Sequence, residues 1–231
     1  MIPGGARSAS RVAVVTGGAR RIGAAIARRL ACDGFSVVVT YRESRDDAEA
    51  LAAGIGGAAC PLDLEAPRAL SRLASLVERR HGRLDLLVHN AAVFPRTPPG
   101  PVSARDWDRV FAVNVRGPYL LTQRLLPLLR ASRGGGAIVF LGDAGARRLW
   151  PAYLPYCLSK LALETQARAW RTLLAPAVRV GVVRPGLALI PPGFPREAWE
   201  RLRAGRVRAG LDSPAKVAGA VLRFARGGPY N

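Results

Sequence analysis

The sequence predicts an α/β fold: a three-layer, doubly wound parallel sheet of about six strands with helices on both faces. Two observations point there. Apolar runs of strand length alternate with stretches of helical periodicity along the chain, and a glycine-rich turn stands between the first strand and the first helix. Strand and helix in alternation require crossover connections, so the strands run parallel and both faces of the sheet are covered. A third observation sets the scale: 231 residues, 49% of them hydrophobic, suit one large core better than two small ones. The expected division is a short flexible tail over residues 1–10 and a single domain over 11–231.

Strands are expected at Arg11–Thr16, Ser36–Tyr41, Ala58–Leu62, Leu84–Asn90, Gly136–Leu141 and Val178–Val183. Helical patterns fall at Arg21–Cys32, Asp46–Ala53, Pro67–His81, Ser103–Leu129, Tyr153–Leu174, Pro195–Arg203 and Ser213–Ala225. Phe94–Pro101 and Leu187–Pro195 read as loops over the cleft.

Composition excludes several classes of function. The net charge of +19 comes from arginines scattered over the whole chain, which predicts a solvated basic surface that draws anions toward the cleft, and no nucleic-acid partner. Three widely spaced cysteines give neither a disulfide framework nor a metal-ligand cluster, and all three are expected in or near the core. The longest apolar runs, such as Val12–Val15 and Leu84–Val88, are strand-sized, so no membrane span is expected. Met1–Ser10 lacks the apolar stretch of a signal peptide, which predicts a cytoplasmic protein.

The turn is Thr16-Gly17-Gly18-Ala19-Arg20-Arg21-Ile22-Gly23. Glycines permit a tight turn and close backbone approach, and the helix that follows presents free N–H groups to a pyrophosphate. Alone such a turn is weak; between strand one and helix one it points to a dinucleotide site, with Gly17, Arg20, Arg21, Ile22 and Gly23 at the cofactor. Strand two ends in Tyr41-Arg42-Glu43-Ser44, where an NAD site normally places an acid for the ribose hydroxyls. Arg42 and Ser44, with Arg21, suit a 2′-phosphate and hence NADPH; in the alternative Arg42 is a solvated charge and Glu43 takes the ribose. Asp63, followed by Leu64, either accepts from the adenine amino group or caps its own turn.

Tyr156 and Lys160 stand four residues apart, on one helical face. A free phenol has a pKa of about 10, so it exchanges protons near neutrality only where a cation stabilises its anion. Lys160 is one of only two lysines in a chain that otherwise uses arginine, which marks a need for a compact ammonium there. The spacing by itself is equally that of an ordinary amphipathic face.

Taken with His89-Asn90-Ala91-Ala92 at the end of strand four, Asn114 in the next helix and Arg184-Pro185-Gly186 after strand six, these motifs make the chain resemble the short-chain dehydrogenase/reductase family from about Arg11 to Ala225. The resemblance implies a Rossmann-like sheet and an oxidoreductase. It also implies Asn90 near the adenosine side of the cofactor, Ala91, Ala92, Pro185 and Gly186 in the cofactor site, Lys160 on the nicotinamide ribose, and Asn114 holding a water in a proton relay. Arg21 in the turn and Asp143, where most members have a serine, are similar to pteridine and dihydromonapterin reductases, as are Phe94, Leu187 and Trp199-Glu200. That likeness implies NADPH-dependent reduction of a dihydropterin or dihydrofolate, with Arg21, Phe94, Asp143, Tyr156 and Leu187 at the substrate. Hydride addition to C=N leaves negative charge on a ring nitrogen that needs a proton; Tyr156 and Asp143 would deliver it, and Phe94 would stack the flat ring.

Open alternatives are a turn-forming Asp143, a rim aromatic at Phe94 and a helix-kinking Asn114. At the level of function they are a reductase of another carbonyl or imine and a catalytically silent nucleotide-binding relative. Family members usually continue into a seventh strand, for which this sequence has no counterpart, so six strands are expected. A homo-oligomer, dimer or tetramer, is expected to form through the helices Ser103–Leu129 and Tyr153–Leu174.

Overall fold

Six short apolar runs become one parallel sheet in the computed structural model, which describes residues 10–97, 102–190, 194–204 and 213–228. The strands are β1 (Arg11–Val15), β2 (Phe35–Tyr41), β3 (Ala58–Pro61), β4 (Leu86–His89), β5 (Gly136–Leu141) and β6 (Val178–Val183). Their order is β3-β2-β1-β4-β5-β6, and every neighbouring pair runs parallel. The chain reverses its direction of travel across the sheet between β1 and β4, and the crevice beyond the carboxyl ends of those strands is where such sheets take ligands. The architecture is Rossmann-like, as the alternation predicts. Among the described residues no strand follows β6; the expected tail up to Ala9, parts of both cleft loops (98–101 and 191–193) and the chain beyond 228 lie outside them.

The helices are α1 (Arg21–Cys32), α2 (Arg45–Gly54), α3 (Pro67–His81), α4 (Ala104–Phe111), α5 (Gly117–Arg130), α6 (Leu154–Leu174), α7 (Arg196–Ala204) and α8 (Pro214–Ala225). Side chains alternate across β5, which is buried throughout: Ile138 and Phe140 enter the core under α3, α5 and α6, while Ala137, Val139 and Leu141 enter the core under α1, α2 and α8. Each fully buried Leu, Ile or Phe in these two layers stabilises by roughly 1.5–3 kcal/mol relative to exposure.

Three expectations change on folding. The strands around the crevice are shorter than the apolar runs, because Leu84 gives its N–H to Leu128 O and Asn90 gives its own to the Thr16 hydroxyl instead of continuing the ladder. The expected helix Ser103–Leu129 is divided by a π-helical turn over Ala112–Arg116. Pro118 has no N–H for the carbonyl four residues back, so the regular ladder breaks there, and the widened turn directs Asn114 inward. Cys32, expected near the core, is exposed at the end of α1, whereas Cys60 and Cys157 are buried. Among the described residues no helix is long and apolar enough to cross a membrane, and no group of His, Cys, Asp or Glu could hold a metal ion.

Candidate active site

The turn between β1 and α1 is assembled by Thr16 and Asn90. The Thr16 hydroxyl donates to Val88 O at 3.2 Å and accepts from the N–H groups of Asn90 and Ala91 at 3.0 and 3.1 Å. The Asn90 amide donates back to the carbonyls of Thr16 and Gly17, at 2.8 and 3.0 Å. Gly17 has φ +60°, and a β-carbon on Gly23 would lie 2.3 Å from Gly17 O, so only glycine fits there. α1 begins with no acid in its first turn and no side-chain cap on its N–H groups, which leaves donors for an anion. This cradle fits the diphosphate of a dinucleotide. Asn90, expected near the adenosine side, spends its side chain on the turn.

A cleft of about 460 Å³ runs from this turn past Tyr41, Arg42, Ser44, Asp63 and Leu64 to Asn90, Ala91 and Ala92; Arg20, Arg21, Ile22 and Gly23 line it too. At its far end Arg42 lies 3.6 Å from Glu43 and 3.7 Å from Glu65, and its side chain is 43% exposed. The Ser44 hydroxyl makes no capping bond to α2. Arg20, expected at the cofactor, lines the cleft while forming an ion pair with Asp47. Asp63 does cap its turn, accepting the Glu65 N–H at 2.9 Å, while still lining the cleft. Thr40 and Arg109 also line it, positions without a local motif that sequence reading missed.

A second cavity, of about 420 Å³, opens beside the first and brings Arg21, Phe94, Asp143, Tyr156, Lys160, Pro185, Gly186 and Leu187 together. Trp150 and Trp199 complete its aromatic wall. The role of Trp150 was missed, although Trp150, Tyr153 and Tyr156 recur every three residues just before Lys160. Arg21 holds a positive φ of 55° and donates to Ile190 O, tying the turn to the loop after β6.

At the cavity's head the Tyr156 hydroxyl donates to Asp143 Oδ2 at 2.7 Å, and Asp143 Oδ1 accepts the Gly145 N–H at 2.6 Å. Asp143 is therefore both a turn-forming residue and the phenol's partner. Lys160 is buried, its Nζ donating to Leu141 O at 2.8 Å and lying 5.8 Å from the centre of the Tyr156 ring. Burial lowers its pKa to about 8, against the opposing pull of Asp143 and Glu164. The Tyr156 phenol is pushed well above its ordinary value, by burial first and by the Asp143 carboxylate second. The expectation that Lys160 makes this phenol acidic is thus reversed in the protein alone: the ammonium is tied to a carbonyl, and a carboxylate is the phenol's near neighbour.

Asn114 clamps backbone. Its Oδ1 accepts the Val93 N–H at 2.9 Å and its Nδ2 donates to Val93 O and Ser159 Oγ, both at 3.0 Å. Both amide hydrogens are taken, so its side chain anchors the loop that carries Phe94 to α6. Phe94 stacks on Tyr153 at 4.3 Å and meets Tyr156 edge-on at 4.4 Å, so one of its faces is already covered.

The sequence profile of the family described as enoyl-(acyl carrier protein) reductase matches residues 17–224. The human protein named dehydrogenase/reductase SDR family member 4 is 36% identical over 199 residues, covering 83% of this chain and 70% of its own length. The chain belongs to the short-chain dehydrogenase/reductase family. Galactitol 2-dehydrogenase of Agrobacterium fabrum is 28% identical over 211 residues, 87% of this chain and 81% of that one. A crystal structure of a dehydrogenase/reductase from Sinorhizobium meliloti 1021 matches with a TM-score of 0.84 at 31% identity, covering 94% of this chain and 88% of that one. This short-chain dehydrogenase/reductase is an oxidoreductase, and members of the family use nicotinamide cofactors. The glycine cradle and the cleft fit one.

Proposed function

We propose that the chain is an NADPH-dependent reductase of a flat nitrogen heterocycle, a dihydropterin or dihydrofolate. The observation that carries this reading is the 2.7 Å bond from Tyr156 to Asp143 at the head of an aromatic-walled cavity. Two consequences follow from a carboxylate in that place. It accepts hydrogen bonds and cannot donate, so it repels the oxyanion that carbonyl reduction builds and attracts the N–H edge of an amino-heterocycle. Burial and Asp143 also keep the proton on Tyr156, so the phenol rests in the protonated form from which reduction of a C=N bond starts.

Bound NADPH supplies the hydride. Gly17, Gly23 and the start of α1 would hold its diphosphate, and Arg42 with Ser44 would receive the 2′-phosphate at the strand-two end, where no aspartate stands ready for ribose hydroxyls. The Lys160 ammonium would bind the nicotinamide ribose, and the Phe94 ring would bound the substrate slot. The exposed Leu173 of α6 and the half-exposed Trp107 and Tyr119 of α4 and α5 support self-association through these helices.

The test is NADPH oxidation driven by dihydrobiopterin. Asp143→Asn is expected to lower kcat by about 10²–10⁴, the usual worth of a positioned acid–base group; an unchanged rate removes the pterin argument. A second reading, a carbonyl reductase, is favoured by the galactitol 2-dehydrogenase relative. Such an enzyme oxidises NADPH with a ketone and ignores dihydrobiopterin.

A further inference from the structure

Gly142 lies between two groups at the head of the cavity: Leu141, whose carbonyl receives Lys160 Nζ, and Asp143, whose carboxylate receives the Tyr156 hydroxyl. A partly buried ion pair backs it, with the Glu164 side chain 9% and the Arg184 side chain 36% exposed. Glu164 stands one turn beyond Lys160 on α6 and takes Arg184 Nε and Nη2 in a two-pronged bond of 2.9 Å on each side. Arg184 follows β6 directly. Its neighbours hold the same stretch from the other side, Val183 O accepting the Gly142 N–H at 2.9 Å and Pro185 O the Ala144 N–H at 3.0 Å.

Contact between the pair and the turn is close: a β-carbon on Gly142 would lie 2.6 Å from Glu164 Oε1. Tyr156, Lys160 and Glu164 therefore form one stripe at four-residue spacing on α6, with the backbone of 141–143 laid along it. An ion pair whose arginine is partly open to solvent adds little to stability, so its placement against Gly142 calls for a reason other than stability.

We propose that Glu164, clamped by Arg184, is a positioning residue for the reaction. It seats Gly142, and with it the Leu141 carbonyl and the Asp143 carboxylate, and its negative charge keeps the Lys160 ammonium charged. Glu164 lines neither the nucleotide cleft nor the cavity beside it. The charged and titratable groups facing Lys160 are Asp143 from the loop after β5 and Tyr156 and Glu164 from α6, and Arg184 from the end of β6 stands behind them, bonded to Glu164. Burial works against the ammonium, and Asp143 and Glu164 work for it. Arg184 offsets part of the Glu164 charge, so removing either member of the pair moves Lys160 in opposite directions. The inference rests on the Tyr156–Lys160 reductase reading and on no particular substrate.

Lys160 and Lys216 are the only lysines in the chain, so lysine labelled with ¹³C at the ε carbon gives two signals that Lys216→Arg assigns. In the unaltered protein Lys160 is expected to titrate at about 8. Glu164→Gln is expected to lower that midpoint by about 1 unit, and Arg184→Gln to raise it. Arg184→Lys, which keeps the positive charge, is expected to leave it close to its starting value. An unmoved midpoint in folded Glu164→Gln overturns the proposal, as does a shift of the same sign in Glu164→Gln and Arg184→Gln, the mark of general loosening. If Glu164→Gln does not fold, a rise in Arg184→Gln that Arg184→Lys lacks supports the proposal, and equal midpoints in the two overturn it. No substrate enters the measurement, so failure of the pterin reading leaves its outcome intact.

Discussion

Mild acid is expected to destabilise this protein through one buried imidazole. His89 is 2% exposed at the end of β4, stacked on Phe140 at 4.7 Å, with Nε2 bonded to Thr122 Oγ1 at 2.9 Å and Nδ1 without a partner among the described residues. Burial lowers its pKa to about 3. An unfolded histidine takes a proton at about 6.5, so between these values only the unfolded chain is protonated at this site. The stability present above about 6.5 is then lost as pH falls toward 3. At pH 5 the gap below 6.5 is about 1.5 units, and each unit is worth about 1.4 kcal/mol, so the loss is about 2 kcal/mol. Asp33, whose pKa is lowered by Arg226 and Arg11, acts mainly below pH 5, because an unfolded aspartate titrates at about 3.9. Urea unfolding at pH 7 and pH 5 reads the effect as a fall in midpoint at constant slope. His89→Gln removes the titrating group and is expected to flatten the dependence, whatever it does to stability at pH 7. Equal losses between pH 7 and 5 in both proteins would refute the reasoning; the partly buried His81 is controlled by repeating the pair in a His81→Gln background.

The other predictions concern the two cavities. Gly23→Ala puts a β-carbon 2.3 Å from Gly17 O and 2.6 Å from Asn90 Nδ2, so cofactor affinity is expected to fall at least about tenfold by calorimetric titration, the effect of losing one charge-assisted hydrogen bond; undiminished binding would show that the turn does not hold the diphosphate. Arg42→Ala is expected to weaken NADPH by about ten- to a hundredfold and NADH little, since the lost guanidinium–phosphate contact is worth about 1.5–3 kcal/mol; equal effects on the two nucleotides argue for an exposed Arg42 with no phosphate role. Reductive turnover is expected to fall as pH rises through about 8, where the Lys160 ammonium is lost, and a profile flat to pH 10 would detach the reaction from that charge.

Much of this molecule was legible because its signals are local. β5, β6, α1 and α3 begin and end where their apolar patterns do, and the glycine turn declares itself by its place between β1 and α1. What escaped depends on neighbours distant in sequence. The Asn90 clamp needs β4 beside β1, an adjacency set by the strand order. Arg20 pairs with Asp47, which α2 brings back across the turn. The π-helical turn inserts its irregularity into an apolar pattern that reads as continuous, with only Gly117-Pro118 to mark it. The four-residue spacing correctly put Tyr156 and Lys160 on one face of α6, yet spacing carries no information on burial, and burial is what raises the phenol and lowers the ammonium.

Those two shifts bear on the direction of the chemistry. Removing the proton from Tyr156 while Asp143 is ionised would leave two negative oxygens about 2.7 Å apart in a buried site, a state that like-charge repulsion and desolvation both oppose. A serine in that place could turn its hydroxyl to donate to the phenolate; a carboxylate cannot. Oxidation of an alcohol needs the phenolate already formed as base and meets this penalty at the outset, whereas reduction starts from the neutral phenol and meets the same penalty as the proton leaves. The penalty then favours recapture of a proton from solvent, which resets the site. The Lys160 ammonium, tied to Leu141 O, is the one positive charge among these buried groups that can soften the transient anion, so the pH at which it is lost bounds the range in which the cycle can run.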